Sequence, residues 1–198
     1  PGDKEKEEYM RYEDFLDSCG EDTLAEWVDG NIERYSPASD THQDMVRWLI
    51  AVLGIYVEAK ELGVIRPAPF QMKKGRDLPG REPDIIFVRK ENQGMLKRTY
   101  LDGPADLTIE IVSEESLLRD RGEKFAEYEI GGVKEYWIID QNLKRVDFFV
   151  LKEGRYERRV EDGVGIYRSE VLKGFWMKVA WLWNLPPVLD VLKELGLI

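Results

Sequence analysis

The chain has 198 residues, 43% hydrophobic and 34% charged, which predicts one sizeable domain with a real core rather than two. No stretch approaches the roughly 18 uninterrupted apolar residues of a membrane span, and a net charge of −10 excludes indiscriminate binding to phosphate backbones. The single cysteine, Cys19, excludes an internal disulfide and a multi-cysteine zinc site, and predicts a cytoplasmic location.

In chain order, Tyr9 to Asp17 read as a short helix with Tyr12, Phe15 and Leu16 on one side. "LAEWVDGNIERYS" reads as a hairpin, because Asp29-Gly30 suits a type I′ turn that needs positive φ twice. A helix follows, capped by Asp40 or Thr41. Its apolar face is Met45, Trp48, Leu49, Val52, Ile55 and Tyr56, and Gly63 is its stop. "VIRPAPFQMKK" and "EPDIIFVRK" read as strands, joined by the turn-rich "GRDLPGR". "DLTIEIVS" is another. Asp120 and Glu123 have capping-box spacing, so "RGEKFAEYEIGG" predicts a helix ending at Gly131-Gly132.

"VKEYWIID" is a nearly continuous apolar run, as in a strand covered on both faces. "RVDFFVLKEGRYERRV" predicts a hairpin turning at Glu153-Gly154. "FWMKVAWLW" predicts a strand and "PVLDVLKELGLI" a closing helix with proline at its start. The fold class is mixed α/β. The strand–helix–strand unit in the middle implies a parallel pair with helices outside.

Two of these strands contain an inserted acid. Asp84 precedes the apolar stretch of "REPDIIFV", and Glu110 sits between Ile109 and Ile111. Strands are depleted in Asp, and an acid within an apolar run is costly unless paired. Two carboxylates close together repel unless a cation lies between them or one takes a proton. Hard ions such as Mg²⁺ prefer carboxylate oxygens, and Lys124 in the next helix supplies an ammonium. Carboxylate, carboxylate and lysine around such an ion suit phosphodiester hydrolysis.

"EPDIIFV", "DLTIEIVS" and "RDRGEKFAEYEIGGVKEYWIID" together resemble the Uma2 family of restriction-endonuclease-like proteins, within the PD-(D/E)XK nuclease superfamily. "AEWVDGNIERYSPASDTHQ" resembles that family's opening hairpin and helix, so the likeness runs from about Tyr9 to Asp140. The resemblance implies a central mixed sheet flanked by helices, preceded by an N-terminal hairpin and followed by a β-rich C-terminal extension. It makes Asp84 and Glu110 metal ligands for Mg²⁺ or Mn²⁺. Lys124 becomes a catalytic residue and Glu26 an assisting acid. The superfamily's lysine belongs two residues after the second acid, where this chain has Val112; Lys124 on the following helix is the matching position. The substrate implied is DNA, held by a local basic groove. The rival reading is an inactive nuclease-fold module that binds nucleic acid or a protein.

Each position also has a structural reading. Asp84 suits a strand start that accepts backbone hydrogen bonds, and Lys124 suits a surface lysine paired with Asp120. Glu26 suits an exposed hairpin, and Ser113 suits a strand-end cap. His42, the single histidine, reads as a helix-start or surface residue, and Tyr128 as core. Lys73, Lys74, Arg76 and Arg81, and likewise Arg119 and Arg121, are either phosphate contacts or solvated bases. The aromatic-rich "DFFVL" and "FWMKVAWLW" predict a homodimer interface.

Overall fold

The computed structural model describes residues 10–11, 14–15, 18, 25–28, 31–34, 39–73, 80–112 and 121–198. Of the first expected helix, Asp14 and Phe15 are helical, Met10 and Arg11 are not, and the rest lies outside the described residues. The hairpin strands β1 (Ala25–Val28) and β2 (Asn31–Arg34) pair antiparallel with Val28 opposite Asn31. Asp29 and Gly30 between them lie outside the described residues, as do Cys19, Lys74, Arg76, Ser113, Arg119 and Asp120.

Helix α1 (Asp40–Ala59) is capped by Ser39, whose Oγ accepts the His42 backbone N–H, and not by Asp40 or Thr41. Its buried stripe is Met45, Trp48, Leu49, Val52, Leu53, Tyr56 and Val57, while Ile55 is exposed. At 3.6 residues per turn, a face that already holds 45, 49, 52 and 56 turns position 55 outward. The helix stops before Gly63, which opens β3 (Gly63–Pro67) with its would-be Cβ against the Val88 carbonyl.

A six-stranded sheet organises the described residues in the order β11-β10-β9-β8-β6-β3. Its strands are β6 (Ile85–Arg89), β8 (Leu107–Val112), β9 (Glu135–Asp140), β10 (Arg145–Lys152) and β11 (Arg155–Arg159), together with β3. The β8–β9 pair is parallel and the others are antiparallel. Helix α2 (Glu123–Gly131) forms the crossover between the parallel strands. Gly122 caps it with no side-chain bond and Gly132 ends it in the left-handed region; the expected capping box falls on Asp120, outside the described residues. Every residue of β8 and β9 is buried, the charged Glu110, Glu135 and Asp140 included. Glu153 and Gly154, with φ of 49° and 79°, make the turn between β10 and β11.

A second, five-stranded sheet runs β2-β1-β5-β4-β7, adding β4 (Gln71–Lys73), β5 (Gly80–Arg81) and β7 (Tyr100–Asp102). The expected C-terminal strand is shorter than its aromatic run. β13 (Trp176–Lys178) pairs with β12 (Ile166–Arg168), and helices α3 (Trp181–Asn184) and α4 (Val188–Glu194) follow. The extension is therefore part β and part helical.

The large sheet has a different apolar cluster on each face. Ile85, Phe87, Leu107, Ile109, Trp137 and Phe148 face α1 and the C-terminal elements. Ile86, Val88, Val112, Tyr136 and Ile138 face α2 and its Tyr128. Phe148, Phe175 and Trp181 are buried within the chain. Phe149, Trp176 and Trp183 of the same aromatic stretches are half-buried.

Candidate active site

β6 and β8 pair with Ile85 opposite Ile109 and Ile86 opposite Thr108. Asp84 immediately precedes the paired part of β6, and Glu110 immediately follows Ile109 on β8. Asp84 Oδ2 accepts the backbone N–H of Ile111 at 2.7 Å. The acid at the head of β6 thus takes a main-chain bond, as its structural reading expects, from the residue that follows Glu110.

Glu110 projects under α2. Its Oε1 accepts Lys124 Nζ at 3.0 Å and the Tyr128 hydroxyl at 2.7 Å. Lys124 and Tyr128 are one turn apart on the helix, so both reach the same oxygen. The Glu110 and Lys124 side chains are each 5% exposed. Lys124 is thus buried in an ion pair with Glu110 and is not a surface lysine; Asp120 lies outside the described residues. Val112, where the parent pattern has its lysine, packs in the apolar cluster below α2. The ammonium arrives from the helix instead of the strand. Tyr128 fills core, stacking edge-on against Tyr136, and also bonds the carboxylate.

His42 is the residue that the sequence placed elsewhere. Its Nε2 lies 3.2 Å from Asp84 Oδ1, while its Nδ1 is buried with no hydrogen-bond partner among the described residues. Burial pushes the imidazole down, but the Asp84 carboxylate more than offsets this and holds it above its ordinary value. Each site carboxylate therefore has its own cationic or proton-bearing neighbour, Lys124 for Glu110 and His42 for Asp84. The simple repulsion of two bare acids does not apply. The signal in sequence was present: His42 is one turn into the helix that packs on the sheet, where a surface role was not the sole option.

Glu26 lies on β1, whose Trp27 pairs with Gly80 of β5; the Glu26 side chain lies outside the described residues. Arg81, expected as a phosphate contact or a solvated base, is fully buried. It binds Glu127 of α2 through two bonds of 2.8 Å and lies 3.6 Å from Glu123. Arg81 so ties the second sheet to the helix that carries Lys124. Arg121 is likewise engaged, with the buried Asp147.

Asp84 and Glu110 form a donor set of hard oxygens on adjacent strands. Among the described residues, no group of three or more His, Cys, Asp and Glu side chains is arranged to hold an ion. A two-carboxylate set does not suit a closed cage. It does suit Mg²⁺ or Mn²⁺, because Mg²⁺ keeps several waters and uses one or two carboxylates.

The Uma2 family model, described as "Putative restriction endonuclease", matches residues 12–180. Among solved structures, the chain is similar to a "putative nuclease belonging to DUF820" from Anabaena variabilis ATCC 29413. The TM-score is 0.72 at 14% identity, over 88% of this chain and 98% of that one. At that identity the likeness is one of fold. No curated protein matches the chain. No helix among the described residues is long and apolar enough to cross a membrane.

Proposed function

This chain belongs to the Uma2 family, and from that premise we propose that it is a Mg²⁺- or Mn²⁺-dependent endonuclease that hydrolyses DNA phosphodiester bonds. One observation supports the reading: Asp84, at the head of β6, accepts the backbone N–H of Ile111, the residue next to Glu110 on β8, and Lys124 Nζ is 3.0 Å from Glu110. Asp84 and Glu110 would hold the ion, which supplies Lewis-acid polarisation of a phosphoryl oxygen and neutralises its charge. Lys124 stabilises negative charge gathering on the phosphate and orients the attacking water. Tyr128 and His42 position the two carboxylates, and Glu26 is the assisting acid. The same reading includes a homodimer, whose symmetry suits two cuts in a duplex, and a cytoplasmic location.

The test is cleavage of supercoiled DNA with Mn²⁺ or Mg²⁺, stopped by EDTA and lost in Asp84→Asn. A readout independent of cleavage is the melting temperature. Mn²⁺ at about 100 times its dissociation constant stabilises a specific site by about 2.7 kcal/mol. That gain is expected in the wild type and absent from Asp84→Asn. Equal Mn²⁺ responses in both proteins would remove Asp84 from the metal site.

The inactive-module reading has one observation in its favour. Lys124 and Tyr128 already satisfy Glu110 Oε1 without an ion. Metal-independent DNA or protein binding, with no cleavage under any divalent ion, would select it.

A further inference from the structure

Asp147 of β10 is 1% exposed, yet three guanidinium groups converge on it. Arg121 Nη1 lies 2.5 Å from Oδ2, Arg145 Nε 3.1 Å from Oδ2, and Arg158 Nη2 2.9 Å from Oδ1. Three positive charges meet one negative one. That is a local excess of two in a chain whose net charge is −10. Arg145 and Arg158 are each 53% exposed. A guanidinium has five N–H donors; Asp147 takes two contacts from Arg145 and one from Arg158, so donors remain that face solvent.

The position of this cluster is set by strand register. Glu110 lies opposite Ile138 of β9, and Ile138 lies opposite Asp147 of β10. The three form one row across the sheet, on the face covered by α2. At a strand spacing of 4.7–4.9 Å, Asp147 is about 10 Å from Glu110, close to one Debye length at 0.1 M salt. The sheet brings the proposed scissile site and the arginine cluster onto the same face.

We propose that Arg145 and Arg158, splayed by the buried Asp147, form a docking site for backbone phosphates of nucleic acid flanking the bond to be cut. This rests on the nuclease reading for its ligand, but not on cleavage. A carboxylate that fixes two planar forks at its own oxygens leaves their outer N–H edges aimed outward. Such edges match phosphate oxygens in the bidentate manner of arginine. An acidic chain that must still approach a polyanion needs its positive field concentrated at such a spot.

The experiment is fluorescence anisotropy of a labelled DNA duplex in EDTA, over a KCl titration, so that cleavage plays no part. Arg145→Ala/Arg158→Ala is expected to weaken binding at least tenfold and to reduce the slope of log affinity against log salt by about two. Lys193→Ala, on α4, leaves both unchanged. Arg158→Gln alone keeps Arg121 and Arg145 on Asp147 and stays folded; it lowers the slope by about one. Wild-type affinity and slope in Arg158→Gln and in the double variant overturn the proposal, as does a wild type that binds no DNA. Arginine-dependent binding by a protein that never cuts overturns the nuclease reading and keeps this one. Cutting by a protein whose binding ignores both arginines does the opposite.

Discussion

Two buried carboxylates lie on opposite faces of the large sheet and are held in different ways. Glu110 bonds a lysine and a tyrosine on the α2 face. Glu135, at the start of β9, is fully buried on the other face. It accepts the Trp137 indole N–H, the Tyr167 and Ser169 hydroxyls, and the backbone N–H groups of Glu170 and Val171. Burial pushes the Glu135 carboxyl up, and the donors pull against that shift. Glu135 fastens the 169–171 turn to the sheet with neutral donors, and none of its bonds among the described residues comes from a cation. Glu110 is paired with an ammonium and a hydroxyl. An acid in an apolar strand is therefore no sign of a site by itself; its partners decide.

The largest effect expected from this contrast is on activity. Glu110→Gln and Lys124→Ala should each lower DNA cleavage by about 10²–10³-fold, and the double variant should be little worse than either single, since such residues act as a unit. Glu135→Gln should leave the rate per folded molecule unchanged. Full cleavage by Lys124→Ala, or a dead but folded Glu135→Gln, breaks the comparison.

Stability comes next. Lys124→Ala strands a buried carboxylate and should cost about 3–5 kcal/mol in urea unfolding. Glu110→Gln/Lys124→Met removes both charges and should recover most of that loss while remaining inactive. A double variant no more stable than Lys124→Ala would mean that the pair is worth more than its desolvation. Glu135→Gln replaces an acceptor oxygen with an amide that confronts donors, at a cost of about 1–3 kcal/mol. No loss there would show that the five bonds are poorly formed.

The smallest effect is in the pH dependence. Burial opposes the charge on Asp147, but Arg121 and Arg145 outweigh it and hold the carboxyl below its ordinary value of 3.8. A lowered folded value gives stability that is present above 3.8 and lost as pH falls through the folded value. Glu135 has the opposite sign: its raised value favours folding below its ordinary 4.5, and that contribution is lost as pH rises. Asp147→Asn should therefore flatten the acid limb of a stability–pH curve. A limb unchanged in that variant would assign it to other carboxylates.

Much of this molecule was legible in the sequence because its signals are local. The alternation around Asp29-Gly30, the turn at Glu153-Gly154 and the glycine end of α2 each depend on a few adjacent residues. Asp84, Glu110 and Lys124 stand out as candidates because they lie in short recognisable stretches. What escaped depends on pairing across long separations. His42 meets Asp84 only because α1 packs over the head of β6. Arg81 looked like one base among several, and became a buried tie only when β5 was laid against α2. Asp147 lies in the same row as Glu110 only once β8, β9 and β10 are in register. Residue type alone could not give these positions.

Among the described residues, the large sheet ends in β11 on one side and β3 on the other. β11 reads Arg155, Tyr156, Glu157, Arg158, Arg159, with Arg155, Glu157 and Arg158 exposed. β3 is short and ends in Pro67, which has no N–H to offer a neighbour. Unpaired strands are templates for growth by another chain, and dense charge or proline on an edge discourages it. Two copies of this protein would therefore not join by extending the sheet, and a dimer would have to use another surface. The arginines of β11 also act as a solubility guard. Replacing Arg155 and Arg158 with valine should make the purified protein cloud on standing and bind amyloid dyes, even where its melting temperature barely moves.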